Sequence, residues 1–168
     1  MRHVLLTFTR RHAIALVLAG AVGLAGCQAP APPPFNPDDP AIVAEIEARL
    51  QPVMAGAAAA DADKVLEIAE GTGEFTFMTG DVMLSGLDTI RARFKETYAG
   101  LEKQDQTILE KRVRILSPDV ALVLVVAEGT YTDKAGWTSE PVGIGTTIVF
   151  VREDGTWRAR HAHQSIGY

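Results

Sequence analysis

The chain has 168 residues, 47% hydrophobic and 22% charged, with a net charge of −5 and one cysteine, a size and balance suited to one globular domain. A single Cys excludes an intramolecular disulfide and a cysteine-rich zinc site, and the acidic balance argues against a nucleic-acid binder working through phosphate attraction. The averages conceal an asymmetry: all 21 acidic residues lie after residue 37, whereas the first 27 residues hold three Arg, two His and no acid.

Arg2, Arg10 and Arg11 precede an apolar or small-residue run from Ala13 to Gly26. That run is shorter than the roughly 20 residues a permanent membrane span needs, and a basic start followed by an apolar stretch is the layout of a secretory signal. Leu24-Ala25-Gly26-Cys27 resembles the bacterial lipobox, which implies cleavage before Cys27 and a diacylglyceryl group on its thiol. Residues 1–26 are thus read as a cleaved lipoprotein signal and 27–40 as a lipidated Cys with a tether. A lipidated thiol is neither nucleophile nor metal ligand, so Cys27 leaves the search for chemistry. The expected location is the bacterial cell envelope, with Gln28 favouring the outer membrane by the same resemblance. Without residues 1–26 and their three Arg, 142 residues remain with 13 basic and 21 acidic side chains, a net charge of −8.

Ala29 to Pro37 contains five prolines and reads as an extended spacer that holds the domain off the membrane. Asp39-Pro40 fits an N-cap and first helical residue, and Ile42, Ile46, Leu50 and Val53 share a helical face. Pro52 is expected to bend or end that helix. Asp61 or Asp63 caps a second short helix stopping at Gly71. Phe75 to Met78, a Gly80-Asp81 turn and Val82 to Leu84 read as a hairpin. A third helix follows, with Ser85 and Asp88 as a capping-box-like start and Leu87, Ile90, Phe94, Tyr98 and Leu101 on one face. Thr107 to Leu116, Val120 to Thr132, Thr138 to Val151 and Trp157 to Ile166 then alternate as four long strands separated by short turns, which imposes an antiparallel meander. The class is α+β, three N-terminal helices packed on a curved, mostly antiparallel sheet over residues 41–168.

This order resembles the nuclear-transport-factor-2-like superfamily, in particular its SnoaL-like branch. The resemblance rests on Gly86-Leu87-Asp88-Thr89-Ile90-Arg91 followed by Phe94, on Leu116-Ser117-Pro118-Asp119-Val120-Ala121, and on Arg152 to Arg158 with the terminal His161-Ala162-His163-Gln164-Ser165. It implies a cone-shaped fold with a pocket between sheet and helices, often dimeric. It does not imply one activity, since members include isomerases, cyclases, hydratases and non-catalytic association domains.

Strict alternation along the last strand puts Trp157, Ala159, His161, His163 and Ser165 on one face and Arg158, Arg160, Ala162 and Gln164 on the other. By the resemblance, the first face points into the cone. His163 is then the candidate acid/base, with Trp157, His161, Ser165, Tyr98 and Phe94 as ligand-binding candidates; an isomerase would also need an interior carboxylate, for which Glu110 and Glu128 are the candidates. No metal site and no cofactor are implied, because His-x-His lacks a marked third ligand. Gly143 and Gly145 leave a bare face on the third long strand, which together with the apolar run Val120 to Ala127 points to packing against a second copy. Three readings follow: a lipid-anchored module binding a small apolar or carbonyl-bearing ligand, an isomerase or cyclase acting through His163, and a non-catalytic dimeric association domain. The expected partners are the membrane, a small molecule and a second copy, with no nucleic acid.

Overall fold

The structure, a computed structural model, describes residues 35–72 and 74–167. The export signal, Cys27 and most of the Pro-rich tether lie outside the described residues. Helix α1 spans Pro40–Ala58, capped by Asp39, whose carboxylate accepts from Ala41 N at 2.9 Å. Its apolar stripe buries Ile46 and Leu50 and packs Ile42 and Val53 beside them. Pro52 does not end α1, which continues through it to Ala58. Buried Leu50 and Gly56 and partly buried Val53, on both sides of the proline, hold the helix together across the lost hydrogen bond.

Helix α2, Ala62–Leu66, is capped by Asp61, which accepts from Lys64 N at 3.1 Å, and runs into a 3-10 turn over Glu67–Ala69. It crosses α1 at Gly56, where a Cβ would stand 2.7 Å from Val65 N. Strands β1, Thr76–Thr79, and β2, Val82–Ser85, form the expected hairpin. Helix α3, Leu87–Tyr98, begins at Gly86 and has no side-chain cap. The expected Ser85–Asp88 box does not form: Gly86 takes a φ of 85°, its N–H goes to Phe75 O, and Asp88 pairs with Arg91.

Four long strands complete the chain: β3, Leu101–Ser117; β4, Val120–Asp133; β5, Val142–Glu153; and β6, Thr156–Gly167. They form the antiparallel meander, and the sheet order is β2-β1-β6-β5-β4-β3, with β1 parallel to β6. Strand β3 starts six residues earlier than its hydrophobic pattern indicated, because its first residues after Leu101 are polar and carry no apolar alternation. Strand β5 starts four residues later, Thr138 making only an isolated bridge to Thr132. Register shifts interrupt β3 three times and the β5–β6 ladder once, and such bulges add the local twist that curves the sheet. The helices cover one face, where Ala121, Val123, Ile148, Phe150, Trp157, Ala159 and Ala162 meet Ile46, Leu66, Ile68 and Ile90 in one core. The architecture is the expected α+β cone: an open, curved, mostly antiparallel sheet with its helices on the inner face.

Candidate functional site

The ladder between β5 and β6 steps from Val149↔His161 to Phe150↔Ala159, so Arg160 is an extra residue in β6. A one-residue insertion inverts the faces of everything beyond it. Before the bulge, Trp157 and Ala159 are buried on the inner face; after it, Ala162 is the buried residue and His161, His163 and Ser165 face outward. The continuous alternation read from the sequence is therefore corrected. The apolar spacing Trp157, Ala159, Ala162 carries the signal of the bulge, since the second step is three residues rather than two.

The candidate residues accordingly fall into three places. Trp157 is 3% exposed, its Nε1 donates to Glu45 Oε2 at 2.8 Å, and Arg152 reaches the same oxygen at 2.8 Å while lying 4.6 Å over the indole. This cluster pins α1 to the β5–β6 end of the sheet. Phe94 and Tyr98 lie on α3 over the inner face, with Phe94 edge-on to Phe77 at 5.0 Å and to Tyr98 at 5.6 Å. Burial raises the pKa of the Tyr98 hydroxyl, with the Gln104 side chain beside it working in the other direction. The Nε2 of Gln104 is itself buried without a hydrogen-bond partner among the described residues. Tyr98 also borders an open groove of about 600 Å³ with Asp63, Lys95, Glu102 and Lys134.

His161, His163 and Ser165 form the third group, on the outer face. His161 Nδ1 and Thr76 Oγ1 share a hydrogen bond of 2.7 Å. His163 lies in register between Met78 of β1 and Thr147 of β5. Among the described residues no carboxylate hydrogen-bonds to either imidazole, and no third residue joins the pair in a metal-ligating group. Glu110 and Glu128 also lie on the outer face, the former holding Arg112 at 2.6 Å. Arg158 and Arg160 are tied within the chain, Arg158 to the carbonyls of Glu70 and Glu153 and Arg160 to the Glu153 carboxylate.

What the outer face does carry is apolar surface. Along β4, Ala121, Val123 and Ala127 point inward, while Leu122, Leu124 and Val126 point out, the last two 37% and 49% exposed. Val149 and Thr147 continue this stripe on β5. At its end Gly143 and Gly145 leave a notch of about 380 Å³, walled by Leu109, Val126, Glu128 and Ser165. The run Val120 to Ala127 is therefore half buried, one side in the core and one side open. Leu122, Leu124 and Val126 were visible in the sequence as a run, but only the register shows which of them are outward.

Residues 43–167 match the model of the calcium/calmodulin dependent protein kinase II association domain family. The chain belongs to that family. Among solved structures, the association domain of C. elegans CaMKII aligns with a TM-score of 0.60 at 20% identity, over 77% of this chain and 99% of that one. A nuclear transport factor 2-like superfamily protein from Salmonella enterica aligns at 0.67 and 15% identity, over 77% and 93%. A ketosteroid isomerase-like protein from Erwinia carotovora atroseptica aligns at 0.61 and 23% identity, over 73% and 94%. No curated protein matches. These structural alignments show the nuclear-transport-factor-2-like fold that the motifs implied, and the family match adds the association-domain family.

Proposed function

We propose that this association-domain family member is a self-associating module held at the bacterial envelope by a lipid on Cys27. The observation that carries the self-association is the open row Leu122, Leu124 and Val126 on the sheet face opposite the helices. Contiguous apolar surface of this kind is uncommon on a monomer and ordinary at an interface between like subunits. The name of the matched family supports the same reading. The anchor is supported by the sequence alone, through the run from Ala13 into Cys27.

Sedimentation velocity on the full chain in mild detergent tests the association. The wild type is expected to be dimeric or larger and Leu124→Asp/Val126→Asp to run as a monomer, with circular dichroism unchanged; a monomeric wild type overturns the reading. Labelling cells with radioactive palmitate tests the anchor. Label is expected on the wild type and lost from Cys27→Ala, and an unlabelled wild type refutes lipidation.

A second reading is favoured by the inner-face pair of Tyr98 and Gln104. The Tyr98 phenol and the buried Gln104 amide stand side by side, donor groups of the kind a carbonyl oxygen accepts from, beside the apolar ring of Phe94. On this reading the small carbonyl-bearing ligand sits at the Tyr98 end of the cone. Acid/base chemistry by His163 would have to act on the outer face, away from that end. Native mass spectrometry of the protein as isolated tests it: a retained small molecule is expected in the wild type and missing from Tyr98→Ala, and none in either removes the reading.

A further inference from the structure

The stripe proposed to meet a second copy is bordered by imidazoles. His161 and His163 stand on the outer face of β6, one strand from Val149 and Thr147 and two strands from Leu122 and Leu124. Both are partly buried already within one subunit. Their neighbours across the strands are uncharged, Thr76 and Met78 on β1, Thr147 and Val149 on β5, Leu122 and Leu124 on β4. Along β6 the cation Arg158, bonded only to backbone carbonyls, stands on the same face one outward ladder pair from His161 and adds to the cost of a proton there. The nearest charges across the sheet are Glu110, Arg112 and Arg114 on β3, three strand spacings or roughly 14 Å away. Arg112 is already held by Glu110. On β6 itself, Arg160 is taken by Glu153.

Two like sheets packed face to face about a two-fold axis have few arrangements. An axis along the strands, centred on the β4–β5 stripe, lays β6 over the partner's β3, so each imidazole meets a surface whose net charge is that of Glu110, Arg112 and Arg114 together, +1. An axis across the strands lays β6 over the partner's β6, so imidazole meets imidazole. In both cases a proton on His161 or His163 is desolvated and faces like charge, which favours the neutral ring in the assembly.

We infer that self-association through this face is released by acid, with protonation of His161 and His163 as the switch. The inference rests on the self-association proposed above. The sign follows from linkage: a histidine whose proton affinity is lower in the assembly than in the free subunit weakens assembly as pH falls through the free-subunit value, about 6.5 for an unperturbed ring. Each excluded proton weakens association by up to about tenfold per pH unit, so two histidines per subunit are sufficient for a steep response.

The test is the dissociation constant of the full chain in mild detergent, by sedimentation equilibrium at about pH 7.5 and about pH 5.5. A rise of about tenfold or more in the wild type is expected, together with a flat response in His161→Asn/His163→Gln and weakened assembly at both pH values in His163→Lys. A wild type that assembles equally at both pH values overturns the switch and leaves the self-association standing; a wild type monomeric at pH 7.5 overturns both. An acid response retained in the double variant also overturns the inference, since the proton would then act elsewhere. Should the double variant misfold, ring resonances of the wild type decide: titration midpoints lower at high than at low protein concentration support the switch, and equal midpoints refute it.

Discussion

The indole Nε1 of Trp157 donates to the carboxylate of Glu45 at 2.8 Å, joining the first turns of α1 to the start of the last strand across 112 residues of chain. Arg152 holds the same carboxylate, so a buried aromatic, an acid and a base form one cluster at one end of the cone. Removing Glu45 leaves a buried N–H without an acceptor. Glu45→Ala is expected to lower stability by about 1–3 kcal/mol, read as a shift of the urea midpoint with unchanged slope. Trp157→Phe, which removes donor and acceptor demand together, should cost less than the Glu45 change if the hydrogen bond rather than packing governs the joint.

The α2–α3 contact is expected to weaken in acid. Asp63 accepts from Lys95 at 2.8 Å and from Arg91 at 3.0 Å, and the Lys95 hydrogen bond is the largest cause of its lowered pKa. A carboxyl with a folded pKa below its unfolded value contributes stability above about pH 4, which is lost as pH falls through the folded value. Thermal melts from about pH 6 to about pH 3 should show a shallower loss in Asp63→Asn than in the wild type. Identical pH profiles would show that the ion pairs are too solvated to matter.

Gly56 is expected to tolerate no side chain. A Cβ there would lie 2.7 Å from Val65 N and 3.0 Å from the Lys64 carbonyl carbon, both backbone atoms that move only if α2 moves. Gly56→Ala gains helix propensity of about 1 kcal/mol yet should still destabilise by about 1–3 kcal/mol through overpacking. Denaturant unfolding checks the sign, and a more stable variant would mean that α2 shifts freely.

At high pH the sign reverses for Tyr98. Burial raises its folded pKa, so its contribution is intact below the unfolded value of about 10 and is lost as pH rises through the folded one. Tyr98→Phe should flatten the loss of stability above about pH 10, and ultraviolet difference titration should show one tyrosine fewer in the late-ionising group.

The elements themselves were legible in the sequence because each carries a local signal: Asp39-Pro40 for α1, Gly80-Asp81 for the hairpin, and three polar turns between four long strands. Pro52 was misleading, since packing of Leu50 and Val53 outweighs one missing hydrogen bond. The candidate site was legible only in part. Phe94 and Tyr98 do share the inner face, and the bare strand at Gly143 and Gly145 does open outward. The histidines were assigned to the face of Trp157 because period-two reasoning assumes an unbroken ladder, and bulge positions are set by the neighbouring strand rather than by the strand's own residues.

Arg160 makes β6 two half-strands joined out of phase. The half bearing Trp157 belongs to the interior and the half bearing His161 and His163 to the exterior, although five residues separate the first from the last. A lineage that deleted this one residue would turn the imidazoles into the cone and the small Ala162 out to solvent, exchanging a surface chemistry for an enclosed one without altering any functional side chain. Loss or gain of a single codon at that place would thus move both imidazoles between an exposed and an enclosed setting while leaving every side chain on the strand unchanged.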